Sequence, residues 1–376
     1  MTDILTLSLT GPSSHRFKRD PGMGSLTIGP LDGLRRPDLV VAPDDLINWH
    51  IFDGMQTGDG SNWPRYVQYE GNCTTLFDWM RDRETEEVHF VPRGDIELDA
   101  SDAQLGGLSL SPSEHRIRVT LPRTLRRFSI IGDPKLVAFD LPSGSTWPEV
   151  YLSGDDVLTS IDNLPSLTGL RSLGIRNSVL GAPFDCRSLL SLPSLDHLRL
   201  YGAATHLEAL AALPLTGLEL RFVPNLDGLP ELTTWPKMDY FIAWNIDENG
   251  GKTLRKAADQ LARQLGEDGI SQVSQLRSRQ WFVEEYGLPF GGWSRKNEKA
   301  ASKAYKAVSK MLRAATIKEE AKAAITMFVE VVNRLPGIET SERDDAGDAV
   351  AMLAAVRPDL VGVDEALAWF DETRDF

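Results

Sequence analysis

The residues Gly250-Gly251-Lys252-Thr253 are this chain's nearest approach to a phosphate-binding loop. Such a loop cradles phosphate oxygens with backbone N–H groups and a lysine, where a strand leads into a helix. The full pattern, G-x-x-x-x-G-K-[ST], requires glycine at position 246, and that residue is Ile246. We therefore interpret the segment as a strand-to-helix turn with an exposed Lys252, and we predict no cofactor.

Histidine, cysteine and serine form no catalytic or metal-binding motif. The six histidines, at positions 15, 50, 89, 115, 197 and 206, give no H-E-x-x-H and no pairing with cysteine at metal-ligand spacing. No G-x-S-x-G nucleophile elbow occurs. Cys73 and Cys186 could pair, but their spacing suggests no disulfide framework, and we expect buried thiols. The sequence therefore predicts neither an enzyme nor a metal site.

A stripe of basic residues is the next feature that could bind a ligand. Its members are spaced by four, three, four and three positions: Lys299, Lys303, Lys306, Lys310 and Arg313. That spacing places them on one face of a helix, where they could dock nucleic acid or an acidic partner. Aromatic side chains that would stack on bases are not interleaved with them. We interpret the stripe as a solvated helix face and retain docking as the alternative.

A repeated pattern dominates the middle of the chain. Apolar residues at positions 0, +3 and +5 recur most clearly at Leu170/Leu173/Ile175, Leu195/Leu198/Leu200 and Leu215/Leu218/Leu220. With weaker copies, the pattern starts at residues 85, 105, 125, 147, 170, 195, 215 and 238. A strand with apolar +3 and +5 residues points both to one face, and parallel stacking of the copies would bury that face. Hairpin halves of a β-sandwich are the alternative.

Two of these copies are preceded or begun by an L-P-x-L tetrapeptide, Leu164-Pro165-Ser166-Leu167 and Leu192-Pro193-Ser194-Leu195. With a step of 20 to 25 residues, the segment 85–250 resembles the leucine-rich-repeat family. The whole chain looks like bacterial leucine-rich-repeat proteins of uncharacterised function, which implies a solenoid of about eight short parallel strands. The asparagine or cysteine that the family often has at position +8 is missing in each copy, so we expect degenerate repeats. Some bacterial members are ubiquitin ligases with a cysteine nucleophile in a C-terminal helical domain, and no cysteine follows Cys186.

The two ends of the chain differ from the middle. Residues 1–84 carry turn signals and scattered aromatic residues, and we predict an irregular cap with a few strands that covers the first layer of the array. Helices are expected at about 252–266, 295–315, 318–334, 342–356 and 364–373. The predicted fold class is therefore α/β, with a cap over 1–84, a leucine-rich-repeat solenoid over 85–250 and an all-helical C-terminal domain over 251–376.

The main functional prediction concerns positions +2, +4 and +6, which the resemblance places on the concave face of the solenoid. Tyrosine, tryptophan and arginine, which are enriched at interface hot spots, cluster there in the later strands. The predicted partner-binding residues are Tyr151, Arg176, His197, Arg199, Tyr201, Glu219, Arg221, Tyr240 and Trp244. Gly107, Ser109 and Ser111, in an earlier strand, are expected to be inert. In the alternative, the helical domain or the cap covers this face and buries its aromatic side chains.

Charge narrows the class of partner. The 376 residues include 40 basic and 54 acidic side chains, and this net charge of −14 argues against attraction of the whole chain to nucleic acid or an anionic membrane. The sequence contains no apolar segment of bilayer-spanning length and no secretion signal at its start. We therefore predict a cytoplasmic scaffold that binds another protein, with an immunity or inhibitor protein whose acidic surface blocks a basic toxin as a special case. A regulator that depends on nucleic acid or nucleotide is the alternative.

Overall fold

The computed structural model describes residues 3–20, 22–154, 158–162, 164 and 167–376. The protein is of mixed α/β class, with a twelve-stranded parallel sheet and a C-terminal helical region. The chain divides into two compact units, Met1–Arg277 and Ser278–Phe376. Pro165 and Ser166, which belong to one of the two L-P-x-L tetrapeptides, lie outside the described residues.

The large sheet belongs to the first unit, and its strands are labelled in chain order. They are β1 (Ser25–Gly29), β2 (Leu39–Val40), β3 (Tyr66–Glu70), β4 (Thr85–Val91), β5 (Leu105–Leu110), β6 (Arg127–Ile131), β7 (Glu149–Ser153), β8 (Ser172–Arg176), β9 (His197–Tyr201), β10 (Gly217–Arg221), β11 (Tyr240–Asp247) and β12 (Ile270–Arg277). Their order across the sheet is β2, β1 and then β3 to β12 in sequence. Neighbouring strands pair in parallel, which rules out hairpin halves of a β-sandwich for these strands.

The strand register agrees with the alignment of the repeated pattern. The +3 residues pair across the sheet in a single row: Val88, Leu108, Phe128, Val150, Leu173, Leu198, Leu218 and Phe241. These residues and the +5 residues are buried. Because side chains alternate along a strand, the +2, +4 and +6 residues lie on the other face of the sheet, which we call the polar face.

Shorter elements connect the strands and pack against their buried side chains. Three of them form a small parallel sheet, Ile96–Asp99, Ile117–Thr120 and Val137–Asp140, and two more pair at Phe184–Asp185 and Ala204–Thr205. Several connections contain 3₁₀ helices, at Trp49–Phe52, Pro134–Leu136, Cys186–Ser191, Leu207–Ala212 and Leu232–Thr234. Val119, Leu189 and Leu210 belong to these connecting elements and are buried in the same core as the strands. The core is therefore continuous between the sheet and its connections.

The first 84 residues extend the sheet. An antiparallel hairpin, Asp3–Leu7 with His15–Arg19, comes first, and β1 to β3 then follow the parallel pattern. Val67 of β3 pairs with Val88 of β4, so the strand pairing does not change at the predicted boundary at residue 84. The few strands expected in this segment are present, and they belong to the same sheet as the repeats.

The α-helices are α1 (Thr75–Trp79), α2 (Glu248–Leu265), α3 (Arg279–Tyr286), α4 (Arg295–Ala314), α5 (Lys318–Asn333), α6 (Thr340–Ala354) and α7 (Val363–Thr373). A further 3₁₀ helix lies at Pro289–Gly292. The helical unit has a core of its own, which includes Tyr305, Phe328 and Val350. No helix among the described residues is long and apolar enough to cross a membrane.

The prediction of an all-helical segment from residue 251 is wrong at β12. Val273 and Leu276 are three residues apart, a spacing typical of a helix. This spacing is nevertheless compatible with the strand β12, because Gln275 has a positive φ of 57°, and this interrupts the alternation of side chains along the strand. The paired strand β11 has the same irregularity at Asn245, where φ is 52°. Residues 270–277 therefore form a strand of the first unit.

Candidate functional site

The polar face carries a groove of about 780 Å³ over β5 to β11. Seven of the nine predicted partner-binding residues line it: Tyr151, Arg176, Arg199, Tyr201, Glu219, Arg221 and Tyr240. The other two, His197 and Trp244, lie on the same face of β9 and β11 but do not line the groove. The alternation of side chains along parallel strands is thus sufficient to bring most of these residues together.

Glu219 is the buried centre of a charged network in the groove. Its Oε2 lies 3.2 Å from Arg199 Nε, and its Oε1 accepts a hydrogen bond from Arg221 Nε. Arg199 Nη1 also lies 3.4 Å from Glu149 Oε2, and that oxygen accepts a hydrogen bond of 2.9 Å from the Tyr151 hydroxyl. These charge-assisted contacts fix the two arginines across β7, β9 and β10.

Each of three arginines on the polar face lies over an aromatic ring. The distances from guanidinium carbon to ring centroid are 4.8 Å for Arg176 over Tyr201, 5.4 Å for Arg199 over Tyr151 and 6.0 Å for Arg221 over Trp244. Phe222 lies between two of these rings, with its centroid 4.9 Å from that of Tyr201 and 5.0 Å from that of Trp244. Cation–π contacts of this kind restrict side chains that would otherwise be mobile on the surface.

Two glycines in the strands make room for side chains from the neighbouring strand. A Cβ at Gly174 would overlap the Tyr151 ring, so the glycine allows this ring to lie across β8. A Cβ at Gly217 would lie 2.5 Å from His197 Cδ2. Glycine within a strand often marks such a close approach. The Tyr151 ring beside Gly174 therefore forms part of the lining of the groove.

Some groove residues were not predicted from the sequence. Arg127 and the hydroxyls of Ser109, Ser129 and Ser153 also line the groove. Among the described residues, these three hydroxyls have no hydrogen-bond partner, and neither Arg127 nor Arg176 has an ion-pair partner. Arg127 is the +2 residue of the copy that starts at Leu125, so the selection of positions +2, +4 and +6, which was made in the later strands, could also have found Arg127. Ser109, which we expected to be inert, belongs to this lining.

The predicted site residue His197 is held by the residue before it. Its Nδ1 lies 2.9 Å from Asp196 Oδ1, and Arg171 Nε donates a 2.7 Å hydrogen bond to Asp196 Oδ2. Burial of Asp196 opposes its ionisation, but the hydrogen bonds from His197 and Arg171 outweigh burial and hold the pKa of this carboxyl below its usual value. His197 therefore has a local structural partner.

The N-terminal part of the polar face has a different, smaller groove of about 410 Å³, which includes His89 and Gln68. His89 Nε2 lies 2.8 Å from Ser111 Oγ. Burial lowers the pKa of His89, and the nearby positive charge of Arg35 acts in the same direction. This region therefore combines a half-buried imidazole with hydroxyl side chains and with the charged residues Arg35 and Glu87.

The segment 250–253 lies in the first turns of α2, where a carboxylate already binds the free N–H groups. Asp247 caps the helix, and its Oδ2 accepts hydrogen bonds of 3.0 Å from the backbone N–H groups of Asn249 and Gly250. A Cβ at Gly251 would lie 2.5 Å from Leu276 Cδ2, so this glycine permits close packing of α2 against β12. Capping and packing thus account for Gly250 and Gly251, the two glycines of this segment.

The predicted basic stripe lies on α4, as its spacing indicated. Two of its five members bind acidic residues of α3: Lys306 Nζ lies 2.6 Å from Glu285 Oε1, and Arg313 pairs with Glu284. Within the described part of the chain, Lys299, Lys303 and Lys310 make no ion pair. The positive charge available to a nucleic acid is therefore smaller than the sequence suggests.

The cysteines are buried and free, as expected. Burial raises the pKa of the Cys186 thiol to about 12, which leaves it protonated at neutral pH and unreactive as a nucleophile. In the described ranges, no group of three or more His, Cys, Asp or Glu side chains could hold a metal ion. The groove on the polar face is thus the best-defined candidate site.

The chain matches no family model, no curated protein and no solved structure. No relative therefore supplies a ligand or an activity for the groove. What the groove binds has to be inferred from its own side chains.

Proposed function

We propose that the first unit is a leucine-rich-repeat solenoid and that the protein is an interaction scaffold, which binds another protein through the polar face of β6 to β11. The observation that carries this proposal is one row of residues in register, Arg176, Tyr201, Arg221 and Trp244. Cations and rings alternate across four adjacent strands in this row. Such side chains offer flat contact area together with polar donors, which is the composition of interface hot spots.

These side chains are already held in place before a partner binds, and this also favours a binding function. Arg221 is held by Glu219, and Phe222 packs against both Tyr201 and Trp244. Side chains that are already restricted lose little conformational entropy when a partner covers them. Trp244 retains 37% of its accessible surface, so a partner has apolar area to bury there.

The groove suits recognition better than catalysis. Its cations are arginines, whose pKa lies too high for proton transfer near neutral pH. Its buried carboxylate, Glu219, is occupied by Arg199 and Arg221. We therefore assign binding, and no reaction, to this site.

The test is capture of partners from an extract of the native host by the tagged full chain. The variant Tyr201→Ala/Trp244→Ala should lose the proteins that the wild type retains, because loss of a hot-spot residue costs about 2 kcal/mol or more, roughly thirtyfold in affinity. Retained proteins are identified and quantified by mass spectrometry.

The matched control is Leu46→Ala/Leu190→Ala, which removes two exposed apolar side chains that do not line the groove. Circular dichroism checks that both variants are folded. Equal capture by the wild type, the control and the Tyr201/Trp244 variant would overturn the proposal.

A further inference from the structure

The described side chains that line the groove carry a net charge opposite in sign to that of the whole chain, and this charge indicates the kind of partner that the groove fits. We propose that the groove binds an acidic segment of the partner protein, with a carboxylate of that segment seated on Arg176 between Ser153 and Tyr201. This inference rests on the proposed interaction function and specifies the chemistry of its ligand.

The first argument is the balance of charge in the groove. Arg127, Arg176, Arg199 and Arg221 line it, and Glu219 and Glu149 are the carboxylates paired with these arginines. Both carboxylates are used by Arg199 and Arg221. Among the described residues, Arg127 and Arg176 are left without an anionic partner. This excess of positive charge persists in a chain whose net charge is −14.

The second argument is the setting of Arg176. In register, it lies between Ser153 of β7 and Tyr201 of β9. The Tyr201 ring lies against the guanidinium group, while the N–H donors of that group have no carboxylate acceptor among the described residues. The hydroxyl of Ser153, also without a hydrogen-bond partner in the described chain, adds a donor beside it. A guanidinium with hydroxyl donors nearby matches the acceptor oxygens of a carboxylate.

The third argument is the size and lining of the groove. A single small oxyanion would leave most of about 780 Å³ empty. Ile131, which is 43% exposed, and the Tyr151 ring provide apolar surface in the same groove. A peptide segment that has an acidic residue close to an apolar one would use both parts. A basic partner, the special case suggested by the net charge, would be repelled here and would need another surface.

The test is selection of random peptides displayed on phage, with the full chain as bait. The selected peptides should be enriched in Asp and Glu next to an apolar residue. Fluorescence anisotropy then measures the affinity of the most enriched labelled peptide. Arg176→Gln should weaken its binding at least about tenfold, the effect typical of a lost charge-assisted hydrogen bond. Arg176→Lys should retain part of the affinity, and added salt should weaken binding to the wild type.

The matched control is Arg16→Gln, which removes an exposed arginine of the N-terminal hairpin that does not line the groove. It should bind the peptide as the wild type does. Selection of neutral or basic peptides, selection of none, or equal binding by Arg176→Gln and the wild type would each overturn the acidic ligand. Binding of inorganic phosphate that depends on Arg176, without selection of acidic peptides, would do the same and would indicate a site for a small oxyanion.

The two proposals can fail separately. If non-acidic peptides are selected and the Tyr201→Ala/Trp244→Ala variant loses them, the interaction function stands and only the acidic ligand is wrong. If that double variant captures the same host proteins as the wild type, the proposed function fails, whatever peptides are selected.

Discussion

Two halves of the large sheet, β3 to β6 and β7 to β11, have the same buried rows and different polar faces. One row of paired residues runs through both halves. It is Gln68, His89, Ser109 and Ser129 in the first half, and Tyr151, Gly174, Arg199, Glu219 and Ile242 in the second. The buried +3 row keeps an apolar residue throughout. Packing therefore constrains one face of each strand and leaves the other face free to vary, and the arginine–aromatic pairs of the polar face lie on strands of the second half.

The largest expected effect tests whether the buried rows of the two halves are equivalent. Leu108 and Leu198 are both 1% exposed and occupy the same row. Leu108→Ala and Leu198→Ala should each lower the free energy of unfolding by about 2–5 kcal/mol, because each leaves a cavity in a packed core. Urea denaturation followed by far-ultraviolet circular dichroism measures this. A large loss in only one half would contradict a shared core.

A smaller effect should separate the polar faces. In Gly174→Ala, the new Cβ overlaps the Tyr151 ring, whereas in Gly107→Ala it meets the flexible Glu87 Cγ at 3.3 Å. We expect Gly174→Ala to cost about 1–3 kcal/mol of stability, as overpacking does, and to weaken binding of the selected peptide. Gly107→Ala should change both quantities much less. The measurements are denaturation and fluorescence anisotropy, and equal responses of the two variants would count against a specialised second half.

The smallest expected effect is the part of the pH dependence of stability that His89 of the first half contributes. Because burial lowers the pKa of His89, the unfolded chain binds a proton at this residue more readily than the folded chain. The contribution of neutral His89 to stability is therefore complete above the ordinary pKa of about 6.5, and it decreases as the pH falls through the pKa of the folded state. His89→Gln should remove this part of the pH dependence.

The control for that measurement is His115→Gln, which changes a histidine whose side chain has no hydrogen bond or ion pair among the described residues. Thermal unfolding at a series of pH values compares the two variants with the wild type. The expectation fails if His89→Gln keeps the full pH dependence of the wild type.

The sequence predicted the register of the strands from three apolar positions, and it predicted α4, α5 and α7 within one residue at each end. It also identified seven residues that line one groove. It missed β12 because the positive φ of Gln275 gives Val273 and Leu276 a helical spacing. It missed Arg127 because positions +2, +4 and +6 were compared mainly in the later strands, and it missed Ser129 because a small polar residue gives no signal until its neighbours across the sheet are known.

The periodicity of the chain by itself determined which side of each strand is buried, because side chains alternate along an extended backbone and apolar ones leave water. Only the tertiary structure decided which polar residues meet. Arg199 and Glu149 are fifty positions apart, yet they pair because β7 and β9 flank β8 in the sheet. The same arrangement leaves Arg176 without an anionic partner among the described residues. Charge neutralisation depends on distances in space, which the linear sequence does not contain.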